Sequence, residues 1–260
     1  DAVLAYSPPL PLARVGARVR RVYSARFVLN AQDLFPQNAI DLGVLRSRLL
    51  IRFFSAMERR AYRSADAIVV HSRGNREVLI NERAVPAEKV HVVHNWVDVE
   101  RFSISQGTYR AHFGLSDRFV ILFAGVMGPS QGLHLVIEAA NRLRHKPKLL
   151  FLLVGDGTER RRLQEEAKGR GLTNVMFRPF ISAEQYPDLV ASANAGLVCL
   201  SSENKTPVVP AKILGYMAAG IPVIAAVQSN SDAHILIAES RCGLSAVSDK
   251  PGNLVTMIEN

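Results

Sequence analysis

Three observations predict an α/β fold made of two parallel-sheet units. Short apolar runs rich in Val, Ile, Leu and Phe alternate with longer segments of helical period. The run Leu149-Leu150-Phe151-Leu152-Leu153-Val154 has no polar alternation, as a strand buried on both faces requires. The alternation lapses once, near 95–106, and then restarts. Repeated strand–helix–strand units imply parallel strands covered by helices on both sides.

The predicted strands are 2–6, 26–29, 67–71, 90–94, 119–124, 149–154, 174–177, 195–200 and 222–227, and helical periods fall at 44–64, 132–144, 158–170 and 210–219. After His94 the pattern gives way to Asn95-Trp96-Val97-Asp98 and then to polar Ser103–Thr108. The first domain is therefore read as 1–98 and the second as 99–260. The chain opens at Asp1 almost directly with a strand-like run and stops in a helical one, Leu254–Glu259. Both ends read as cuts through structure.

Composition excludes several classes. Of 260 residues, 48% are apolar and 21% charged, which excludes a disordered, collagen-like or coiled-coil chain. The longest apolar stretch, Gly215–Val227, is interrupted by Gly220 and Pro222 and is too short to span a bilayer. Cys199 and Cys242 make neither a disulfide framework nor a metal spacing, so a reduced, cytoplasmic-type protein without metal is expected. The net charge of +9 calls for an anionic partner. Most of it lies early: 16 basic against 10 acidic residues in 1–105, and 16 against 13 thereafter.

Three segments have the chemistry of phosphate binding. Gly155, Asp156 and Gly157 turn the chain after the buried strand, and Thr158 is placed to cap the next helix. Gly125–Gly132 follows the strand 119–124 with three glycines and a proline, more than a plain turn needs. Neither matches the dinucleotide fingerprint or the P-loop, which lowers the standing of nicotinamide and ATPase chemistry. In the third segment, Pro210 opens a helix and Lys212 falls in its first turn. A cation there opposes the helix dipole unless an anion shares the site.

Taken in order, these segments resemble family-4 glycosyltransferases of the GT-B fold, two Rossmann-like domains facing a cleft. In the second half the resemblance rests on Phe123-Ala124-Gly125, Gln131-Gly132-Leu133, Val154–Glu159, Asn174–Phe177, Pro210-Ala211-Lys212 and Gly215–Ala225. In the first half it rests on Ser7-Pro8-Pro9, Gln32–Pro36, Glu58–Tyr62 and Asn95–Asp98, and points to the subgroup building bacterial O-antigen, capsule and colanic-acid-type polysaccharides.

The resemblance implies a retaining enzyme that moves a sugar from a nucleotide-diphosphate donor to a lipid-linked or saccharide acceptor without metal or cofactor. The diphosphate would sit between Gly125, Gln131, Gly132 and the start of helix 210–219. The base and ribose would lie near Gly155, Asp156, Gly157 and Arg178, and the acceptor near 7–9 and 32–36. It also implies that the chain is short at both ends, with an incomplete first domain and no closing helix in the second.

The sequence departs from the family in several places. A glutamate pair eight positions apart would fall at Pro207 and Gly215; Glu203 can replace the first only if the loop is shifted. Val126 and Gln131 stand where the family places basic residues, so Lys212, Lys205 and Arg178 are expected to carry the diphosphate charge. Gln32 stands where a histidine is frequent; it can position an acceptor but cannot act as a base, which leaves Asp33 for that role. A non-catalytic nucleotide-binding subunit and a nucleotide-sugar epimerase of the same fold remain alternatives.

In the helical segment 44–64, Arg48, Arg52, Arg59 and Arg63 share an arc of roughly 60°, with Leu50, Phe53, Phe54, Met57 and Ala61 broadly opposite. Such a helix suits an anionic membrane surface, and the expected location is cytoplasmic and peripheral at its inner face. An ordinary helix packing its apolar face inward fits the same pattern. No nucleic-acid-binding module is present in the sequence.

Overall fold

The computed structural model describes residues 1–260, which divide into two compact units. The first comprises Asp1–Asn95 with the segments Glu203–Val209 and Asn230–Asp232. The second comprises Trp96–Ser202, Pro210–Ser229 and Ala233–Asn260. Relative to the reading of 1–98 and 99–260, residues 96–98 belong to the second unit and two short later segments belong to the first.

In the first unit the order is β1 (Ala2–Ser7), α1 (Leu12–Tyr23), β2 (Arg26–Ala31), α2 (Gln37–Asp41), α3 (Arg48–Ser64), β3 (Ala67–Val70), α4 (Arg73–Glu77) and β4 (Val90–Val92). The four strands form a parallel sheet in that order. Phe27, Leu29, Ile68, Val70 and Leu79 are fully buried and form its core. Gly16 is where α1 approaches the sheet: a Cβ there would strike the Phe27 ring.

In the second unit the order is α5 (Glu100–Ser103), α6 (Tyr109–His112), β5 (Phe119–Ala124), α7 (His134–Arg142), β6 (Leu149–Val154), α8 (Arg160–Gly169), β7 (Val175–Arg178), α9 (Tyr186–Ala191), β8 (Ala195–Cys199), α10 (Lys212–Ala218), β9 (Val223–Val227), α11 (Ala233–Ser240), β10 (Gly243–Val247) and α12 (Pro251–Glu259). Its six strands are all parallel, in the order β10-β9-β8-β5-β6-β7. Every residue of β6 is buried, as the unalternated run required.

The helices differ from their sequence patterns mainly at the ends. The expected helix 44–64 begins only at Arg48, because Ser47 is extended (φ −68°, ψ 119°) and Gly43 holds a left-handed turn fixed by Arg46 Nε donating to its carbonyl at 2.7 Å. Its apolar face is covered only toward the C-terminus: Ala61 and Tyr62 are buried and Phe54 and Met57 half-buried, whereas Leu50 and Phe53 are half exposed. Thr158 does not cap α8; that position is Glu159, which makes no side-chain cap.

Candidate functional site

The strand order of the second unit places its site. From β5 the chain winds outward to β6 and β7; from β8 it winds the other way to β9 and β10. In an open parallel sheet, ligands sit outside the carboxyl ends of the strands at such a reversal. In this sheet that reversal lies between β5 and β8, at the loops that leave them.

These two loops are tied together by backbone. Ser201 N–H donates to the Ser130 carbonyl at 2.8 Å, and the Cys199 thiol lies 3.5 Å from the Gly132 carbonyl. The turn after β6 joins from the other side. Met127 N–H donates to the Asp156 carbonyl at 2.7 Å, Glu159 N–H to the Met127 carbonyl at 2.9 Å, and Gly155 N–H to the Arg178 carbonyl at 3.1 Å. Two glycines are required for this closeness. Gly155 (φ +141°) and Gly157 (φ +152°) adopt backbone conformations that disfavour side chains, and a Cβ on either would run into the 125–127 backbone.

Lys212 closes the group. Its Nζ donates to Gln131 Oε1 at 3.0 Å and lies 4.9 Å from the centre of the Phe123 ring. Its Cε packs where a Cβ on Gly125 would be, 2.8 Å away. Burial holds the ammonium down at about 8, with Cys199 opposing the shift. Tyr216 fixes the helix that carries it: the ring covers Gly196 and leaves no room for a Cβ there, and the hydroxyl donates to the carbonyls of Leu122 (3.1 Å) and Leu197 (3.3 Å). Tyr216 thus bridges β5 and β8 where they diverge. The sequence showed it only as one apolar residue of a helix.

Of the expected donor-site residues, Gly125, Gln131, Gly132 and Lys212 come together, with Gly155, Asp156 and Gly157 alongside. Arg178 is adjacent through its carbonyl, but its guanidinium covers the Phe113 ring at 4.6 Å and its Nε has no hydrogen-bond partner. Glu203 and Lys205 belong to the first unit; the Lys205 amide donates to Asp41 at 3.1 Å. Residues 201–211 form no helix: α10 begins at Lys212 and has seven residues. The ammonium, not a long helix dipole, is the positive feature of the site. Gly215 cannot simply be replaced by glutamate, since a Cβ there would lie 3.0 Å from the Tyr186 hydroxyl.

The first unit has its own polar cluster at the carboxyl ends of β2, β3 and β4. His71 is buried, with Nδ1 2.9 Å from the Val93 carbonyl and Nε2 2.9 Å from Asn30 Oδ1. Gln32 Nε2 reaches the same Asn30 oxygen at 3.4 Å. Burial raises the Asp33 carboxyl above the usual range, and the charge of His71 opposes it. Asn30 and His71 had no motif to reveal them. Arg48, Arg52, Arg59 and Arg63 all lie exposed on α3, as their arc implied.

Comparison with known proteins assigns the chain. The model for glycosyl transferases group 1 matches residues 105–259, and that for glycosyltransferase family 4 matches 2–101. The chain belongs to the group 1 glycosyltransferase family. WcaI of Escherichia coli, named as a colanic acid biosynthesis glycosyl transferase, is 31% identical over 228 residues, 85% of this chain and 56% of WcaI. WbjE of Pseudomonas aeruginosa, named as a glycosyltransferase, is 25% identical over all of this chain and 65% of its own length. The chain thus spans between about half and two-thirds of these curated relatives. Among solved structures, Anabaena Alr3699/HepE in complex with UDP superposes with a TM-score of 0.78 at 22% identity, covering 98% of this chain and 68% of that one. WaaG, a glycosyltransferase involved in lipopolysaccharide biosynthesis, gives 0.75 at 18%, covering 95% and 71%. The fold of both units is that of GT-B glycosyltransferases. No helix is long and apolar enough to cross a membrane.

Proposed function

We propose that the second unit binds a nucleotide-diphosphate sugar in the crevice between the loops after β5 and β8. The chain then forms part of a retaining glycosyltransferase that transfers the sugar to a lipid-linked or saccharide acceptor in bacterial surface-polysaccharide synthesis. The observation that carries this reading is Lys212, an ammonium with one polar partner, set between two glycine turns and held at about 8 by burial. A diphosphate placed there restores the charge that burial disfavours and is neutralised as it leaves. On this reading the reaction needs no metal and no cofactor. Solved complexes of the similar HepE contain UDP and UDP-glucose, which supports a nucleotide donor.

Asp33 serves as the base or acceptor-orienting group, since a carboxyl raised by burial holds a proton nearer neutral pH than an ordinary aspartate. Gln32 orients the acceptor. A thermal-shift panel of UDP, GDP, ADP and their sugars, run with a donor-hydrolysis assay, tests the proposal. One nucleoside diphosphate should raise the transition of the wild type and not of Lys212→Ala; a panel with no effect refutes the site. The crowding of Gly215 by Tyr186, where a donor-binding glutamate is frequent, favours one second reading, a subunit that binds the nucleotide without turnover. Stabilisation without hydrolysis or transfer of any sugar would select it.

A further inference from the structure

Tyr186 opens α9, and the fold leaves its hydroxyl unused. The ring is held firmly. It meets Phe102 of α5 edge-on, with 6.1 Å between ring centres and 90° between planes, and the buried Pro187 follows it in the helix. The hydroxyl makes no hydrogen bond. Burial is the one influence on the phenol and pushes it up to about 12. The oxygen is nevertheless not sealed from solvent. Tyr216 shows the contrast, with its hydroxyl spent on the carbonyls of Leu122 and Leu197. A tyrosine packed this far into a domain ordinarily finds such a partner.

The free hydroxyl is aimed at α10. A Cβ on Gly215 would lie 3.0 Å from it. Gly215 is three residues after Lys212 in that helix, so the two share a face, about 4.5 Å apart along the axis. The phenol therefore reaches the Lys212 face of α10 one turn beyond the ammonium, in space that glycine leaves open.

We propose that Tyr186 is a donor-binding residue, its hydroxyl bonded to a sugar hydroxyl of the nucleotide-diphosphate sugar, one helical turn from the diphosphate at Lys212. This inference rests on the donor reading above and adds a contact to it. The chemistry selects the ligand group. A phenol raised by burial stays neutral at pH 7 and both donates and accepts. A hydroxyl does the same, and a diphosphate in this ligand is flanked by two sugars that carry hydroxyls, the ribose and the transferred sugar. A carboxylate on residue 215 could make the same bond, but its negative charge would compete with the diphosphate for the ammonium. Gly215 with Tyr186 makes the contact without that competition.

Calorimetric titration of the full chain tests it, comparing wild type with Tyr186→Phe, which keeps the ring and removes one oxygen. UDP, GDP and ADP are titrated first. The nucleotide that binds is followed by its 2′-deoxy and 3′-deoxy forms and by its glucose and galactose esters. In urea unfolding the unliganded variant should be at least as stable as the wild type, because no bond within the protein is lost. With the ribose as partner, Tyr186→Phe weakens the nucleoside diphosphate about fivefold, the worth of one neutral hydrogen bond. One of the deoxy forms then weakens the wild type by the same factor and the variant no further. With the transferred sugar as partner, the nucleoside diphosphate binds both proteins equally and a sugar ester binds the variant about fivefold more weakly. A variant that binds the whole panel as tightly as the wild type overturns the proposal and leaves the donor site standing. So does a variant that is less stable when unliganded, which would give the hydroxyl a structural partner. A wild type that binds no nucleoside diphosphate refutes the donor site and the role of Tyr186 with it.

Discussion

Replacing Lys212 with methionine should make the unliganded protein more stable. Methionine keeps the unbranched apolar stem and removes the ammonium. The difference between an ordinary lysine at 10.5 and Lys212 at about 8 corresponds to roughly 3 kcal/mol that burial of the charge costs the folded state. Loss of the hydrogen bond to Gln131 returns about 1 kcal/mol. The variant should therefore gain about 2 kcal/mol at pH 7 in urea unfolding followed by circular dichroism. The gain should depend on pH in a defined direction. Between about 8 and 10.5 the unfolded lysine keeps its proton and the folded one has lost it, so wild-type stability rises with pH across that window. The advantage of Lys212→Met should accordingly shrink between pH 7 and pH 10. A variant that is less stable at pH 7, or an advantage that does not change with pH, would refute the buried-ammonium account.

Other consequences follow from the same geometry. Gly155→Ala should destabilise the second unit by about 3 kcal/mol in urea unfolding and remove nucleotide stabilisation, because its Cβ meets the Gly125 carbonyl and its φ is +141°. Asp188 accepts from the amides of Gln106, Gly107 and Thr108 and from the Thr108 hydroxyl. Burial pushes its carboxyl up, and these bonds together hold it below the usual range. Its contribution should be intact above the unfolded carboxylate range and lost as pH falls through the lower folded value; Asp188→Asn should flatten that acid limb in thermal scans. With Asp33 as the base, Asp33→Asn should lower sugar transfer by about 10²- to 10⁴-fold with nucleoside-diphosphate affinity unchanged. In the wild type the acid limb of the transfer rate should lie above that of an ordinary aspartate, because burial raises Asp33.

The parts of the fold legible in the sequence are those where burial leaves a composition. β5 and β6 read directly from unbroken apolar runs because both faces are covered. β10 was missed: Gly243-Leu244-Ser245-Ala246-Val247 is an edge strand, half covered and paired only with β9, so it carries little apolar signal. α1 was missed because prolines precede it and arginines interrupt its short apolar stripe; its buried residues are only Ala13 and Gly16. The glycine turns and Lys212 were legible as separate segments. Their meeting was not, since Lys212 and Gln131 are 81 residues apart in the chain. The grouping of Glu203 and Lys205 with the first unit depends on long-range packing, for which local spacing carries no information. The exposure of Leu50 and Phe53 was equally hidden, because periodicity marks a face as apolar without saying what covers it.

Calorimetric titration of the nucleoside diphosphate that stabilises the wild type, into the wild type and Lys212→Met at pH 7 and pH 9, tests the central claim most directly. The wild type should bind at pH 7, weaken at pH 9 as the free ammonium loses its proton above about 8, and lose most of its affinity in the variant even though that variant is the more stable protein. Binding of equal strength in both proteins at both pH values would place the diphosphate elsewhere and contradict the account.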